Sequence, residues 1–446
     1  MEKTAENLME KIVSLAKRRG FIFPGSEIYG GLAGTWDYGP LGVELKNNIK
    51  RTFWQSMVYD RDDTVGLDGA IMMSAKVWEG SGHTQAFSDP LVECKTCHTR
   101  IRADHEDEIL AHESMHEKKS EPHSWTEPKQ FNLLVQALLG VVEGEKQTVY
   151  LRGEITQGVH VNFKNILDST HRKLPFGVVQ VGRAFRNEIT PQHLTFRSRE
   201  FEQMELQYYV KPDEKGAMDV FNYWKAERMK WYEGLGMKKE NLRLREHEPD
   251  ERAHYARAAW DIEYNSPLGW KEFEGIHHRG SWDLSRHSQF SGEDLSYYDE
   301  EAKERYIPWV IETSGGVDRA VLFFLLDAYH EEENQKGKRV YLSLHPRLAP
   351  YKVAVFPLVS NKENITEKAR AIYQSLKPHM TVAWDARGNI GKRYYSQDEI
   401  GTPFCVTVDY QTLEDDTVTV RDRDSATQER IALSQLRSYI QDKLSI

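Results

Sequence analysis

The sequence predicts an α+β fold: an antiparallel sheet with helices on one face, followed by a smaller C-terminal α/β unit. Three observations predict it. Strand-like runs at 148–152, 177–186, 201–210, 258–264, 271–276 and 307–313 are joined by long connections, which suits an antiparallel sheet with its helices gathered on one side. The segment "VDRAVLFFLLDAY" (317–329) is apolar nearly all round, as a buried helix is. After "VYLSLHPRLAPYK" (340–352), a linker with two prolines, strands and helices alternate, which implies a largely parallel sheet. The expected division is 1–345 and 350–446.

The elements follow in order. The opening "MEKTAENLMEKIVSLAKRRG" reads as an amphipathic helix, with Leu8, Ile12, Leu15 and Ala16 on one face and Gly20 as its stop, and not as a signal peptide. Pro40 opens a second helix, in which Leu41, Leu45, Ile49 and Phe53 recur every fourth residue. The β-like "TVGLDGAIMM" follows. Residues 90–130 differ in composition and read as an insertion carrying Cys94, Cys97 and many His and Glu. Stretch 225–246 is locally basic with aromatics between the charges; a solvated helix face and a basic binding surface both stay open. In the C-terminal unit "YKVAVFPLV", "MTVAWDA", "PFCVTVD" and "TVTVRDRD" read as strands. "ITEKARAIYQSLK" and "TQERIALSQLRSYIQDKL" read as helices.

Composition narrows the function. No run approaches the ~18 apolar residues of a membrane span. Three cysteines in 446 residues point to a reducing compartment, the cytoplasm, and not to a disulfide framework. A net charge of −10 argues against indiscriminate nucleic-acid binding but leaves room for a local basic surface.

Two constellations carry the chemistry. In "VVQVGRAFRNE" and "FEQMELQYYV" residues alternate between an apolar and a polar face. Met204, Leu206, Tyr208 and Val210 share one side; Arg186, Glu188, Gln203 and Glu205 share the other. Joined by "ITPQHLTFRSRE", the two runs make a hairpin with one chemical face. A polar, solvated sheet face is the competing reading. In "IETSGGVDRAVLFF" a strand passes through Ser314, Gly315 and Gly316 into a helix with Arg319 in its first turn. The glycines admit a ligand close to the backbone, and a helix N-terminus favours anions. Arg319 opposes the helix dipole there unless an anion sits nearby; an ion pair with Asp318 or a neighbour is the alternative.

These residues resemble the class II aminoacyl-tRNA synthetases. "FRNE" (185–188) matches their motif 2, and "GGVDR" (315–319) their motif 3. The blocks "GFIFPGSEIYGGLAGTWDYGPLGVELKNNIK", "VWEGSGH", "FRNEITPQHLTFRSREFEQME", "HYARAAWDI" and "DEIGTPFCVTVDYQTLEDDTVTVRDRD" are similar to the bacterial-type homodimeric glycyl-tRNA synthetases. The similarity covers nearly the whole chain except about 105–125. Motif 1 would lie at about 35–75, motif 2 at about 177–210 and motif 3 at about 308–330.

The resemblance implies activation of glycine by ATP with Mg²⁺, then transfer of glycine to the 3′ end of tRNA(Gly), in a homodimer joined through helix 41–57. It implies that Arg186 grips the α-phosphate, and that Arg319 holds the γ-phosphate of a bent ATP against the adenine. Asn187, Glu188, Phe196, Arg197, Ser198, Arg199, Glu200 and Phe201 would surround the nucleotide, with Phe201 stacking on the base. Glu272, Phe273, Gly316, Val317 and Asp318 would complete that site, with Glu272 a candidate Mg²⁺ ligand and Glu274 on its face. Glycine would lie among Glu154, Phe201, Glu202, Gln203, Met204, Glu205, Glu312, Thr313, Ser314, Gly315 and Gly316. Arg102 would face its carboxylate.

Excluding larger amino acids is a steric task, and the ammonium calls for carboxylates. The C-terminal unit resembles the class IIa anticodon-binding domain, with Lys392, Arg393, Tyr394 and Tyr395 as candidate contacts.

Some positions depart from the family pattern. "LRGEITQG" stands where "LRPETAQG" is usual, "ETSGGVDR" where "EPSAGVDR" is usual, and Ser74-Ala75 where motif 1 carries a proline. Cys94 and Cys97 form a lone CxxC, whereas some relatives carry two pairs and bind Zn²⁺. A degenerate remnant is the expectation and a zinc site the alternative, with His98, His105, His112, His116 and His123 as the residues that would complete a tetrahedral site. Another class II synthetase, or a non-catalytic paralogue, stays open as an alternative.

Overall fold

The computed structural model describes residues 2–119, 122–142, 144, 146–249, 251–252, 256–334 and 337–444. His254 and Tyr255, which open the "HYARAAWDI" block, lie outside the described residues.

Seven strands form the main sheet, in the order Leu242–Glu246, Ala258–Ser266, Gly269–Gly280, Trp309–Gly316, Glu200–Val210, Phe176–Phe185 and Thr64–Leu67. All neighbours are antiparallel except the last pair, which is parallel. The alternation read in the sequence sets the faces. Val179, Met204, Leu206, Tyr208 and Val210 enter one large core with helices Pro40–Trp54, Glu214–Gly234 and Val317–Asp327. Each such Leu, Val or Phe contributes about 1.5–3 kcal/mol of burial. The Leu41, Leu45, Ile49 and Phe53 stripe is consumed in this core. Short helices Thr156–Val161, Phe163–Thr170 and Trp282–Ser291 cover one end of the opposite face, over Phe176, Val178, Tyr209 and Val310.

Several expectations change. The 148–152 run is a strand (Gln147–Leu151), but it pairs with Met72–Ser74 and Val135–Leu139 in a separate sheet. Alternation marks a strand and not its partner. The "linker" begins later than expected, because Tyr329–Asn334 and Gly337–Leu342 form a hairpin. The basic stretch hides a strand, Leu242–Glu246, whose Arg243 and Arg245 both pair with Glu263 of the neighbouring strand. Lys225 lies 3.8 Å over the Trp260 ring. Much of this stretch's charge is therefore spent inside the fold.

The C-terminal sheet runs Val382–Trp384, Val353–Pro357, Phe404–Val408, Thr417–Asp422, Gln428–Ala432. Its first two pairings are parallel and the others antiparallel. Residues 428–432, expected in the last helix, are its edge strand, and the helix starts at Leu433. A helix over Ile390–Glu399 was not expected, although Asn389 caps it by accepting from the Lys392 amide. Asp398 of that helix is buried, and accepts from Arg421 and from Arg339 of the 329–342 hairpin, which ties the two sheets together.

A β-bulge at Glu272–Glu274 corrects one pairing of roles: Glu263 opposes Glu272 while Ile262 opposes Glu274. The extra residue turns Phe273 and Glu274 toward the helices and leaves Glu272 on the other face. Glu274 is buried against Arg228 (2.6 and 3.0 Å) and the Tyr232 hydroxyl. Glu274→Gln should destabilise the fold by about 3–5 kcal/mol, because Arg228 would stay buried without its counter-charge. Urea denaturation at neutral pH checks this.

Candidate active site

The polar side of the main sheet floors a cavity of about 350 Å³. Arg186 and Arg319 both line it, with Arg102, Glu188, Phe196, Arg197, Ser198, Phe201, Gln203, Glu272, Ser314, Gly316 and Asp318. The two arginines come from sequence positions 133 residues apart (319 − 186). Arg186 sits just past the Phe176–Phe185 strand. Its Nε donates to the Gly153 carbonyl at 3.1 Å, and its guanidinium lies 5.1 Å from the Phe87 ring and 5.3 Å from the Phe201 ring. Among the described residues it pairs with no carboxylate. Arg319 lies 4.7 Å from the Phe196 ring and pairs with Glu272 at 3.1 Å. Arg319 first, then His277 and Arg186, hold the Glu272 carboxyl below its ordinary range. Both guanidinium groups therefore act on one half-exposed carboxylate.

Beneath this cavity is a buried carboxylate cluster. Glu205 accepts from Ser314 (2.7 Å) and Thr156 (2.7 Å). Glu312 accepts from Gln207 (2.8 Å), Thr156 (3.1 Å) and Arg279 (3.0 and 3.1 Å), and faces His277 at 2.8 Å. Glu154 faces His83 at 3.3 Å and accepts from Gln157. Burial opposes ionisation of Glu312, but Arg279 and His277 outweigh it and hold the carboxyl far below its ordinary range. Glu154 is lowered in the same way by His83 and Arg279. Glu205 has no such cation, and burial with the Glu312 and Glu154 charges pushes it up to about 8.

The structure does not bring every expected residue to the cavity. Phe273, Met204, Thr313, Gly315 and Val317 lie on the helix side of the sheet, because alternation and the bulge turn them away. Glu202 is paired with Lys46 and Lys50 of the Pro40–Trp54 helix, and Glu200 with Arg183. Arg199 donates to the Glu188 and Ala33 carbonyls. The Asn187 amide donates to the Leu133 carbonyl, which holds the loop. Asp318 lines the wall, but Lys46, Tyr38 and the Glu202 amide all donate to it, so it is Lys46 and not Arg319 that answers its charge. Arg102 is at the rim, clasped by Asp89 (2.7 Å) and Asp104 (2.6 Å). Arg279, Asp283, Thr156, Gln157, His83 and His277 were missed. His277 and Arg279 stand in strand Gly269–Gly280, and the other four in the short helices His83–Ala86, Thr156–Val161 and Trp282–Ser291, where no local pattern marks them.

Two family models match: a tRNA synthetase class II core domain (G, H, P, S and T) over residues 141–329, and an anticodon binding domain over residues 352–443. A glycine–tRNA ligase of Borreliella afzelii (strain PKo) is 52% identical over 440 residues, covering 98% of this chain and 97% of that protein. One from Thermobifida fusca (strain YX) is 50% identical over 459 residues, covering 98% of each. One from Geobacillus kaustophilus (strain HTA426) is 48% identical over 460 residues, covering 98% and 99%. The chain belongs to the glycine–tRNA ligases.

As a glycine–tRNA ligase it departs from the usual pattern in ways the structure explains. Gly153 allows Phe87 to pack under Arg186, since a Cβ there would meet the Phe87 ring at 2.9 Å. Thr156, where alanine is usual, places a hydroxyl between Glu205 and Glu312. Gly315 faces Met204 and Glu274, so that change concerns packing behind the sheet.

This ligase also gathers Cys94, Cys97, His112 and His116, whose donor atoms all lie within 4.8 Å of one another. Cys94 is 3.6 Å from His116, and Cys97 is 3.5 Å from His112. Tetrahedral zinc with bonds of about 2.0–2.3 Å separates its ligands by roughly 3.3–3.8 Å, so the donor set fits. Both histidines sit one turn apart on helix Glu106–Lys119. His98 and His105 instead face Glu93 and Glu108.

In the C-terminal unit, Arg393 is buried on the Pro357, Arg387 and Gly388 carbonyls, and the Tyr394 hydroxyl meets Thr407. Neither is available to a base; Lys392 is exposed and Tyr395 half-buried.

Proposed function

We propose that this chain forms glycyl-adenylate in the cavity and transfers glycine to the 3′ end of tRNA(Gly). One observation carries the proposal: the Arg186 and Arg319 guanidinium groups face a single cavity, and Ser314 of its lining donates to Glu205 of the buried carboxylate cluster. The glycine carboxylate attacks the α-phosphate of ATP, and diphosphate leaves. Charge builds on the α-phosphate, where Arg186 stabilises it. Arg319 leaves Glu272 for the γ-phosphate, and its stack on Phe196 places it beside the adenine. Phe201 stacks on the base. Glu272, freed, would hold Mg²⁺, which would supply charge neutralisation for the phosphates. In the second step a ribose hydroxyl of the tRNA attacks the carbonyl and AMP leaves. Charging of tRNA with radiolabelled glycine tests this reading; no charging by folded protein would refute it.

The glycine ammonium binds among Glu205, Glu312 and Glu154, with Ser314 and Gln203 at the boundary to the nucleotide. Burial, with the Glu312 and Glu154 charges, pushes Glu205 up to about 8 and so favours its neutral form at neutral pH. The ammonium requires it ionised, so binding releases a proton. Apparent affinity for glycine should therefore rise with pH from 6 to 8, by up to about tenfold per unit, and level off above. The stability linkage has the opposite sign: this carboxyl's folded-state pKa is raised, so its contribution fades as pH rises toward 8. The KM for glycine in ATP–diphosphate exchange across that range checks the first statement.

The division into 1–345 and 350–446 follows the two sheets, and the second sheet would carry the anticodon, with Lys392 and Tyr395 available to it. A homodimer accounts for exposed Ile28, Tyr29, Leu32 and Val43 beside the Pro40–Trp54 helix. Cys94, Cys97, His112 and His116 would hold one Zn²⁺, which replaces the expectation of a degenerate remnant. The glycine–tRNA ligase relatives support a cytoplasmic place; no helix among the described residues is long and apolar enough to cross a membrane.

A further inference from the structure

The Cys/His module touches the nucleotide site at two places. Its roots frame Arg186. The chain leaves the core at Phe87, under the Arg186 guanidinium, and returns at Leu133, whose amide donates to the Phe87 carbonyl and whose carbonyl accepts from the Asn187 amide. Between these roots stand a small sheet (Ser88–Glu93, Arg100–Arg102, Lys129–Asn132) and helix Glu106–Lys119. The second contact is at the tip of the motif 2 loop. Gln192 donates to the Glu108 carboxylate at 2.7 Å, and Thr190 reaches the Arg100 carbonyl at 3.4 Å. Gln192 also pairs with Arg197 through both backbone bonds, and Arg197 lines the cavity.

What holds Glu108 in place is unusual. Helix Glu106–Lys119 has no apolar stripe: its Leu110 and Met115 are exposed, and its buried residues are His112 and His116. A helix normally docks by burying an apolar face. Here the side facing the small sheet carries the two histidines of the donor set. The ligand bonds would take the place of a hydrophobic core, as in small metal-folded domains.

We propose that the module is a metal-dependent brace on the nucleotide loop, and that Glu108 is its positioning residue. This rests on the reading that the four donors bind zinc. The metal docks the helix, the helix fixes Glu108, Glu108 holds Gln192, and the Gln192–Arg197 pairing sets the loop that closes over ATP. The glycine ammonium binds to the carboxylates on the sheet's polar face, away from this chain of contacts, so the brace should act on ATP more than on glycine.

The test uses the full protein and ATP–diphosphate exchange. Zinc content is measured first, with about one ion per chain expected. Chelation should raise the KM for ATP about tenfold or more, the scale of a lost charged hydrogen bond, with little change in the KM for glycine, and added zinc should restore it. Glu108→Ala should raise the KM for ATP in the same direction with zinc content and circular dichroism unchanged. Glu108→Gln, which keeps an acceptor oxygen, should recover most of the loss. Gln192→Ala should match Glu108→Ala, and the double variant should be no worse than either. Zinc content well below one ion per chain refutes the metal reading, and with it the metal dependence of the brace. Full zinc content with an unchanged KM for ATP after chelation leaves the metal site standing and overturns the coupling. An unchanged KM in Glu108→Ala overturns the bridge, as do equal rises for ATP and glycine.

Discussion

Arg186→Ala should cut glycyl-adenylate formation by about 100- to 1,000-fold, the scale seen when one fixed donor to a developing oxyanion is removed. The loss should fall on kcat of ATP–diphosphate exchange more than on either KM, because the charge that Arg186 meets grows in the transition state. The fold should survive. Arg186 is held by the Gly153 carbonyl and two aromatic rings, with no buried carboxylate to orphan among the described residues. Arg186→Lys should recover little, since lysine keeps the charge but loses the planar fork that reaches two oxygens and lies between Phe87 and Phe201. A fall in Tm of several degrees in Arg186→Ala would show that its role is structural instead.

Glu205→Gln should raise the KM for glycine by roughly 10- to 100-fold, the worth of a charge-assisted hydrogen bond to the ammonium in a buried site. It should also abolish the rise of apparent affinity between pH 6 and 8, because the titrating group is gone. Its stability should be close to wild type at neutral pH. Burial already favours the neutral form of Glu205, and glutamine can accept from one of the Ser314 and Thr156 hydroxyls and donate its amide N–H to the other. The KM for ATP should stay near its starting value. Together, Arg186→Ala and Glu205→Gln separate the nucleotide from the amino acid on one face of the sheet.

Much of this site was legible in the sequence, and the reasons it was legible are physical. Alternation in "FEQMELQYYV" assigned Gln203 and Glu205 to the chemical face and Met204 to the core, and the strand obeys it. Arg319 stood out because a cation in a first helical turn needs an answering anion, and the answer is Glu272. Reading failed where the period was broken. The bulge at 272–274 put Glu274 on the opposite face from Glu272, and no local pattern announces a bulge of this kind. It failed also where partners are distant. Arg279 looks like a surface residue in "IHHRGSW", and only the fold seats it between Glu312 and Asp283. Strand Leu242–Glu246 was hidden because its charges are neutralised by the neighbouring strand and not by solvent. Half of the Cys/His set was visible as CxxC; His112 and His116 were among the five histidines named with it, and only the fold selects this i,i+4 pair, on a helix with no apolar face to mark it.

The most direct test of the account is amino-acid-dependent ATP–diphosphate exchange with the wild-type protein. Glycine should support exchange, and alanine and serine should support it at least about 100-fold less, because each must push a side chain into the packed Thr156, Glu205 and Glu312 cluster. Exchange driven as well by alanine or serine, or none with glycine while ATP still binds, would contradict it.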